Sequence, residues 1–169
     1  MEVHGGRTDS AVLVPLFTNG DGRVHAVFTK RRHDLKRHAG EISFPGGRRD
    51  EGETLVDTAL REAHEEVGLP PRAVELVGAL APVGTFVTNY AIYPFVGLIE
   101  PGFEWIVQEA EVAQVLEFAL DDLQAGHSLK RMVRRGMAFK TDVYEVDGHL
   151  VWGATARILG DLLFRLGAR

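Results

Sequence analysis

Apolar residues first gather in two short runs, Ala11–Phe17 and Val24–Thr29, split by Asn19-Gly20-Asp21-Gly22. Turn residues between two such runs predict a β-hairpin. Ile42-Ser43-Phe44 reads as a short strand that ends in the turn Pro45-Gly46-Gly47. Leu76–Ile99 contains no charged residue and is long enough to be tested as a membrane span. Pro82, Pro94 and six further Gly, Thr or Asn residues punctuate it, so two buried strands, Val74–Val83 and Ala91–Ile99, are expected instead. Glu111–Phe118 is a further strand, leading into Leu120-Asp121-Asp122-Leu123. Asp142–Val146 and His149–Trp152 around Asp147-Gly148 form a second hairpin.

Two segments step at helical spacing instead. Thr54–Val67 places Leu55, Val56, Ala59, Leu60, Ala63 and Val67 on one face. Thr54 with Asp57 is a capping start, and Gly68 before Pro70-Pro71 is a stop. Ala154–Leu166 repeats the pattern with Ile158, Leu159, Leu162 and Leu166. The expectation is one α/β domain over residues 1–169, its strands flanked by two principal helices.

Composition narrows the function classes. The chain of 169 residues is 45% hydrophobic and 25% charged, as in ordinary globular proteins. It lacks cysteine, which excludes disulfide scaffolds, zinc-thiolate sites, iron–sulfur clusters and a Cys nucleophile. Nineteen basic against 24 acidic residues give a formal charge of −5, which disfavours a nucleic-acid partner. Met1–Ser10 lacks the cationic region of a secretory signal, and no membrane partner is expected. A cytoplasmic location is expected.

The outer face of the first helix is the unusual feature. Glu62 and Glu66 lie one above the other, with Glu65 about 60° to the side. Like charges at this spacing repel, and the C-terminal end of a helix disfavours them further. A solvated acidic face is the bland explanation, yet clustered carboxylate oxygens are also what Mg²⁺ or Mn²⁺ requires.

The surrounding residues decide between these. Gly47, Glu53, Arg61, Glu62, Glu65, Glu66, Gly68 and Leu69 fit the spacing G-x5-E-x7-R-E-U-x-E-E-x-G-U, with Ala63 at the first apolar position U. This resembles the Nudix box, here spanning residues 47–69, with every fixed position filled. The resemblance implies a Nudix-type α/β/α sandwich with a mixed sheet and a catalytic loop–helix–loop. It implies hydrolysis of a nucleoside diphosphate linked to another group, with Mg²⁺ or Mn²⁺ on Glu62, Glu65 and Glu66 and a further ligand from the Gly47 carbonyl. Glu66 and, less centrally, Glu111 are candidates for taking the proton of the attacking water. Arg61 is expected to reach back to Glu53 and fix the loop against the helix.

Val27-Phe28-Thr29-Lys30-Arg31, Leu35, His38-Ala39-Gly40 and Phe44-Pro45-Gly46-Gly47 are similar to the signature of coenzyme A diphosphatases. So is Trp152–Leu159 at the last helix. Arg31, Lys36, His38, Phe44 and Gly46 are the substrate-binding residues this implies. Arg32 stands where the signature has a small residue, and Lys36 stands where it has Arg, losing the bidentate fork. The substrate would be a nucleotide-type small molecule, with a homodimer left open. Rival readings are an ADP-ribose, ADP-sugar or dinucleotide diphosphatase and, outside hydrolases, a Nudix-fold nucleotide-binding module. An isomerase of isopentenyl diphosphate would be expected to use a Cys, and there is none. Lys130-Arg131 and Arg134-Arg135 carry no motif and read as surface. Trp105, Phe86 and Tyr90 could stack on a base, with core packing the commoner role for a lone aromatic.

Overall fold

The structure, a computed structural model, describes residues 8–85 and 89–167. The first hairpin forms as expected, from β1 (Thr8–Thr18) and β2 (Val24–Arg31), paired antiparallel from Leu16↔Ala26 to Thr18↔Val24. Beyond this pairing, β1 gives the same edge to β4 (Gly46–Arg48), with Ala11 opposite Gly47. Gly46-Gly47 is therefore strand rather than the expected turn, because Leu13 N–H takes the Pro45 carbonyl at 2.9 Å and draws the segment into the sheet. On its other edge β1 runs parallel to β7 (Tyr90–Leu98). β3 (Ile42–Ser43) and β8 (Val112–Ala119) pair with β2; β5 (Glu75–Ala79) and β6 (Val83–Thr85) pair with β7.

The sheet is covered on both faces, which explains why its central strands are continuously apolar rather than alternating. Ala11, Leu13 and Phe17 of β1, with Val27 of β2, pack under Ala59, Ala63 and Val67 of α1 (Leu55–Val67). The intervening Val14 and Leu16, with Ala26 and Phe28, pack on the opposite face under Ile158, Leu159 and Leu162 of α3 (Gly153–Arg165). The short α2 (Leu120–Ala125) adds Leu120 and Leu123 to that second core. The arrangement is a helix–sheet–helix sandwich around a mixed sheet.

One further expectation needs correction, and one gains detail. The segment 74–83 is not one buried strand. β5 is exposed at every position, and the chain leaves the ladder through Leu80-Ala81-Pro82 before β6 begins. β5 lies at the end of the sheet with β7 as its neighbour, so its apolar composition does not mean burial. The cationic stretch 130–135 is surface, but it also has an element: β9 (His127–Arg134) pairs with β10 (Met137–Val146), and β11 (His149–Val151) completes a separate sheet of three. No helix is long and apolar enough to cross a membrane among the described residues. Phe86 falls outside those residues.

Candidate active site

α1 is fixed at both ends. Thr54 Oγ1 accepts the Asp57 N–H at 3.1 Å, and Gly68 takes φ 75°, donating its N–H to the His64 carbonyl at 3.0 Å. The residues that α1 turns to the sheet are mostly small, which lets it come close to β1 and β4. Gly47 of β4 lies directly against it: a Cβ on Gly47 would stand 2.6 Å from the Glu62 carboxyl carbon. Gly46 has backbone behind it, the Ala11 carbonyl oxygen lying 2.3 Å from where its Cβ would be.

The Gly46 N–H donates to Glu66 Oε2 at 2.9 Å. Glu66 is buried, 9% exposed, and its carboxyl is pushed up to about 8. Burial is the main cause, the Gly46 N–H opposes it, and the charges of Glu62 and Glu111 push it further up. The Arg31 guanidinium acts the other way, its positive charge reaching Glu66. Glu62 is likewise raised, first by burial, with Arg61 opposing and Glu65 and Glu111 adding repulsion. Three carboxylates, from residues 62, 66 and 111, thus lie within each other's fields around one wall.

Arg61 organises the side of this wall. Its Nε donates to Glu53 Oε2 at 2.7 Å and its Nη2 to Glu53 Oε1 at 3.1 Å, the expected reach back across the loop. Its Nη1 donates to Glu62 Oε1 at 3.0 Å and Glu65 Oε2 at 3.2 Å, and its Nη2 to the Arg48 carbonyl at 3.0 Å. Asp50 adds an ion pair at 3.4 Å. The Arg61 hydrogen bonds hold the Glu53 carboxyl down at about 2, and Glu53 in turn raises Arg61. Thr58, fully buried, donates its hydroxyl to Glu53 Oε1 at 2.7 Å. Neither Thr58 nor the Gly46 N–H was legible in the sequence. A Thr one turn beyond a cap is ordinary, and a backbone donor has no side chain to flag it.

The other expected residues divide. Glu111 joins the cluster electrostatically, and its carbonyl accepts the Arg32 N–H at 3.0 Å. Arg31 is half-buried; its Nε is shut from solvent and has no hydrogen-bond partner. Lys36 and His38 stand on an exposed loop, with His38 bonded to Glu41 at 2.9 Å. Phe44 is in the core, 2% exposed and stacked on Phe28 at 4.6 Å, so it packs the strand leading to Gly46 and presents no face to a solute. Trp105 packs on Phe103 and donates to Glu117 at 2.7 Å, while Tyr90 lies under Arg48.

No group of three or more acidic or histidine side chains is already drawn into ligating positions among the described residues. Protein donors hold the carboxylates instead: Arg61 takes Glu62 and Glu65, and Gly46 takes Glu66. The donor set nevertheless fits a hard divalent cation. These are carboxylate oxygens, two of them on groups whose charge burial and mutual repulsion oppose, and a cation reverses that penalty.

The NUDIX domain family matches residues 7–136. The "uncharacterized Nudix hydrolase NudL" of Citrobacter koseri is 38% identical over 167 residues, covering 96% of this chain and 85% of that protein. Among solved structures, a MutT/nudix family protein from Enterococcus faecalis superposes with a TM-score of 0.67 at 14% identity, covering 99% of this chain and 65% of that one. The NUDIX domain of Shewanella oneidensis NrtR, solved with ADP ribose, gives a TM-score of 0.56 at 19% identity, over 71% of this chain and 77% of that one. The chain belongs to the Nudix family and is a Nudix hydrolase, an enzyme of the pyrophosphohydrolase class.

Proposed function

We propose that the protein is a metal-dependent diphosphatase whose substrate is coenzyme A, split into 3′-phospho-AMP and 4′-phosphopantetheine. The observation that carries the chemistry is the buried Glu66, held by the Gly46 N–H at 2.9 Å and lying in the fields of Glu62, Glu111 and the Arg31 guanidinium. A diphosphate brought beside the half-buried Arg31 gives its guanidinium charge an anionic partner. Glu62, Glu65 and Glu66 are the residues that would hold Mg²⁺ or Mn²⁺, with the Gly47 carbonyl beside them. When bound, the cation neutralises diphosphate oxygens and lowers the pKa of water.

The chain's own groups supply the rest. Gly46 N–H holds Glu66 in place, and Arg61, anchored on Glu53, holds Glu62 and Glu65. Glu111 is the carboxylate of the cluster that accepts no protein side-chain or backbone donor among the described residues, which leaves it open to take the proton of the attacking water. Arg31, whose charge reaches Glu66, attends the diphosphate, while Lys36 on its exposed loop is left for the 3′-phosphate. The coenzyme A reading is supported by Val27–Arg31, His38–Gly40, Phe44–Gly47 and Trp152–Leu159, which resemble the signature of that subfamily.

The ADP-ribose alternative is favoured by the likeness to the NrtR domain solved with ADP ribose. Chromatography of products from coenzyme A, dephospho-coenzyme A, ADP-ribose, NADH and dinucleoside polyphosphates, with Mg²⁺ or Mn²⁺, separates the two. The expected order puts coenzyme A first and dephospho-coenzyme A below it. A higher kcat/KM for ADP-ribose than for coenzyme A rejects the proposal.

A further inference from the structure

Nine of the eleven exposed large hydrophobic side chains among the described residues fall in two places: Leu129, Val133, Met137 and Phe139 on β9 and β10, and Val24, Leu76, Val77, Leu98 and Leu166 around the end of the large sheet. The first place is an arm. From residue 129 to residue 140, β9 and β10 pair only with each other, and nearly every side chain on both faces is exposed. A two-stranded ribbon in water is marginal without something against it. β9 is also the outer strand of its sheet, so its far edge is unpaired.

The arm's charge is as one-sided as its exposure. Residues 129–140 carry five cationic and no acidic side chains, so the rest of the chain holds 14 basic against 24 acidic residues, a formal charge of −10. Lys130 pairs with Glu145, and Arg134 lies over the Trp152 ring, 5.6 Å from its centroid. Arg131 and Lys140 stand directly opposite each other across the ribbon, with no acidic partner among the described residues. Like charges so placed destabilise a strand pair. On the same face, two pairs away on either side, lie Val133 opposite Ala138 and Leu129 opposite Asp142, whose carboxylate is bonded to His127 at 2.7 Å. Along β9 the face therefore reads apolar, cationic, apolar, and asks for a surface reading apolar, anionic, apolar.

The second place supplies one. A groove of about 700 Å³ is lined by Val24, Leu98, Ile99 and Leu166, with Glu75 and Glu100 on it and Arg72 as the cation among its lining. Glu75 is directly opposite Leu98 in the ladder, and the exposed Leu76 and Val77 follow it on β5. Arm against arm is disfavoured, because it opposes cations to cations. A nucleic acid or anionic membrane would be repelled by the −10 body that carries the arm. A second copy of this chain offers both the opposite net charge and the apolar rim.

We infer that the β9–β10 arm docks into the Glu75/Glu100 groove of a second copy, and that the two copies exchange arms about a two-fold axis. Arg131 and Lys140 meet Glu75 and Glu100, while Leu129 and Val133 cover the exposed rim. This inference is independent of the substrate, since none of these residues belongs to the carboxylate cluster.

Sedimentation velocity and light scattering between about 5 and 200 µM test it. The wild type is expected at twice the 18.6 kDa chain mass. Arg131→Glu with Lys140→Glu is expected to weaken the dimer at least ~100-fold in Kd. Glu75→Lys with Glu100→Lys should do the same. Mixing the two charge-reversed proteins makes both exchanged arm–groove contacts complementary, as does combining all four substitutions in one chain, so the mixture and the combined chain should each dimerise again. All four sites are exposed, and unchanged circular dichroism and melting verify the fold of each variant. A wild type that stays monomeric at about 200 µM overturns the inference. So does a dimer indifferent to both reversals, growth into open-ended oligomers, or a monomer that binds phosphatidylglycerol vesicles or single-stranded RNA through the arm.

Discussion

The two long helices of the sandwich have 13 residues each and cover opposite faces of one sheet, yet they are built on different terms. α3 buries Ile158, Leu159, Leu162 and Leu163, large side chains each contributing roughly 1.5–3 kcal/mol when taken from water. It has no side-chain cap at Trp152, and its only end device is Gly167, which takes φ 76° just past the Leu166 cap. α1 buries Thr58, Ala59, Ala63, Glu66 and Val67, a much smaller apolar load with a carboxylate inside it. It is capped at both ends by Thr54 and Gly68, with Asp57 in its first turn where the helix dipole favours negative charge. Burial holds α3 in place; caps and close approach hold α1. Small residues on α1 bring its acidic edge against β4, and end-capping offsets part of what the buried Glu66 costs. A helix that must present charge at a fixed place gives up apolar bulk to do so.

Glu66→Gln breaks the comparison most severely, and in two directions. Turnover should fall by about 10³-fold or more, because a metal-holding carboxylate is lost. Stability of the metal-free protein should move the other way. The folded carboxyl titrates at about 8 against an ordinary 4.5, so below pH 4.5 both states are protonated and the group costs nothing. Between pH 4.5 and 8 the unfolded chain alone releases the proton, and stability falls by roughly 1.4 kcal/mol per pH unit before levelling off. Gln has no such slope. Melting curves of both proteins in chelator should therefore diverge from pH 5.5 to pH 8, with the variant the more stable at the alkaline end. A constant difference across that range would mean Glu66 is charged in the folded protein throughout.

Leu159→Ala is the matching change on α3. Leu159 is fully buried, and its truncation should cost about 2–5 kcal/mol in urea unfolding. Turnover per folded molecule should stay unchanged, since α3 lies across the sheet from the carboxylates. A collapse of turnover well below the melting temperature would show that α3 shapes the site after all.

The same contrast explains how much could be read in advance. Helices 54–67 and 154–166 were legible because burial on one face writes a period into the sequence, and the carboxylate spacing wrote the site. The strand from Gly46 to Arg48 was not, because its reason is the Pro45 carbonyl meeting Leu13 across the sheet. Nor was the exposure of β5: Leu76 and Val77 have the composition of a buried strand, and only its place at the sheet end leaves them outside. The β9–β10 arm escaped because its apolar residues, alternating with Lys and Arg, face water on both sides. Arg61 reaching Glu53 was expected, whereas Phe44 entered the core and Lys36 stayed on an outer loop.

The finest test asks whether α1 needs its loop. Arg61 binds Glu53 through two nitrogens and then spends Nη1 on Glu62 and Glu65, so it links the loop to the carboxylates rather than touching a reacting atom. A half-exposed ion pair acting alone would contribute at most about 1 kcal/mol to stability and nothing specific to turnover. If the link positions the carboxylates, Glu53→Gln and Arg61→Gln should each lower turnover and raise the Mg²⁺ concentration needed for half-maximal rate, by roughly 10–100-fold. The double variant should be little worse than either, because breaking one end already frees the loop. Arg61→Lys should recover little, as an ammonium cannot reproduce the two-nitrogen grip on Glu53. Losses that add in full across the cycle would mean that the two side chains act separately, with Glu53 itself reaching the metal.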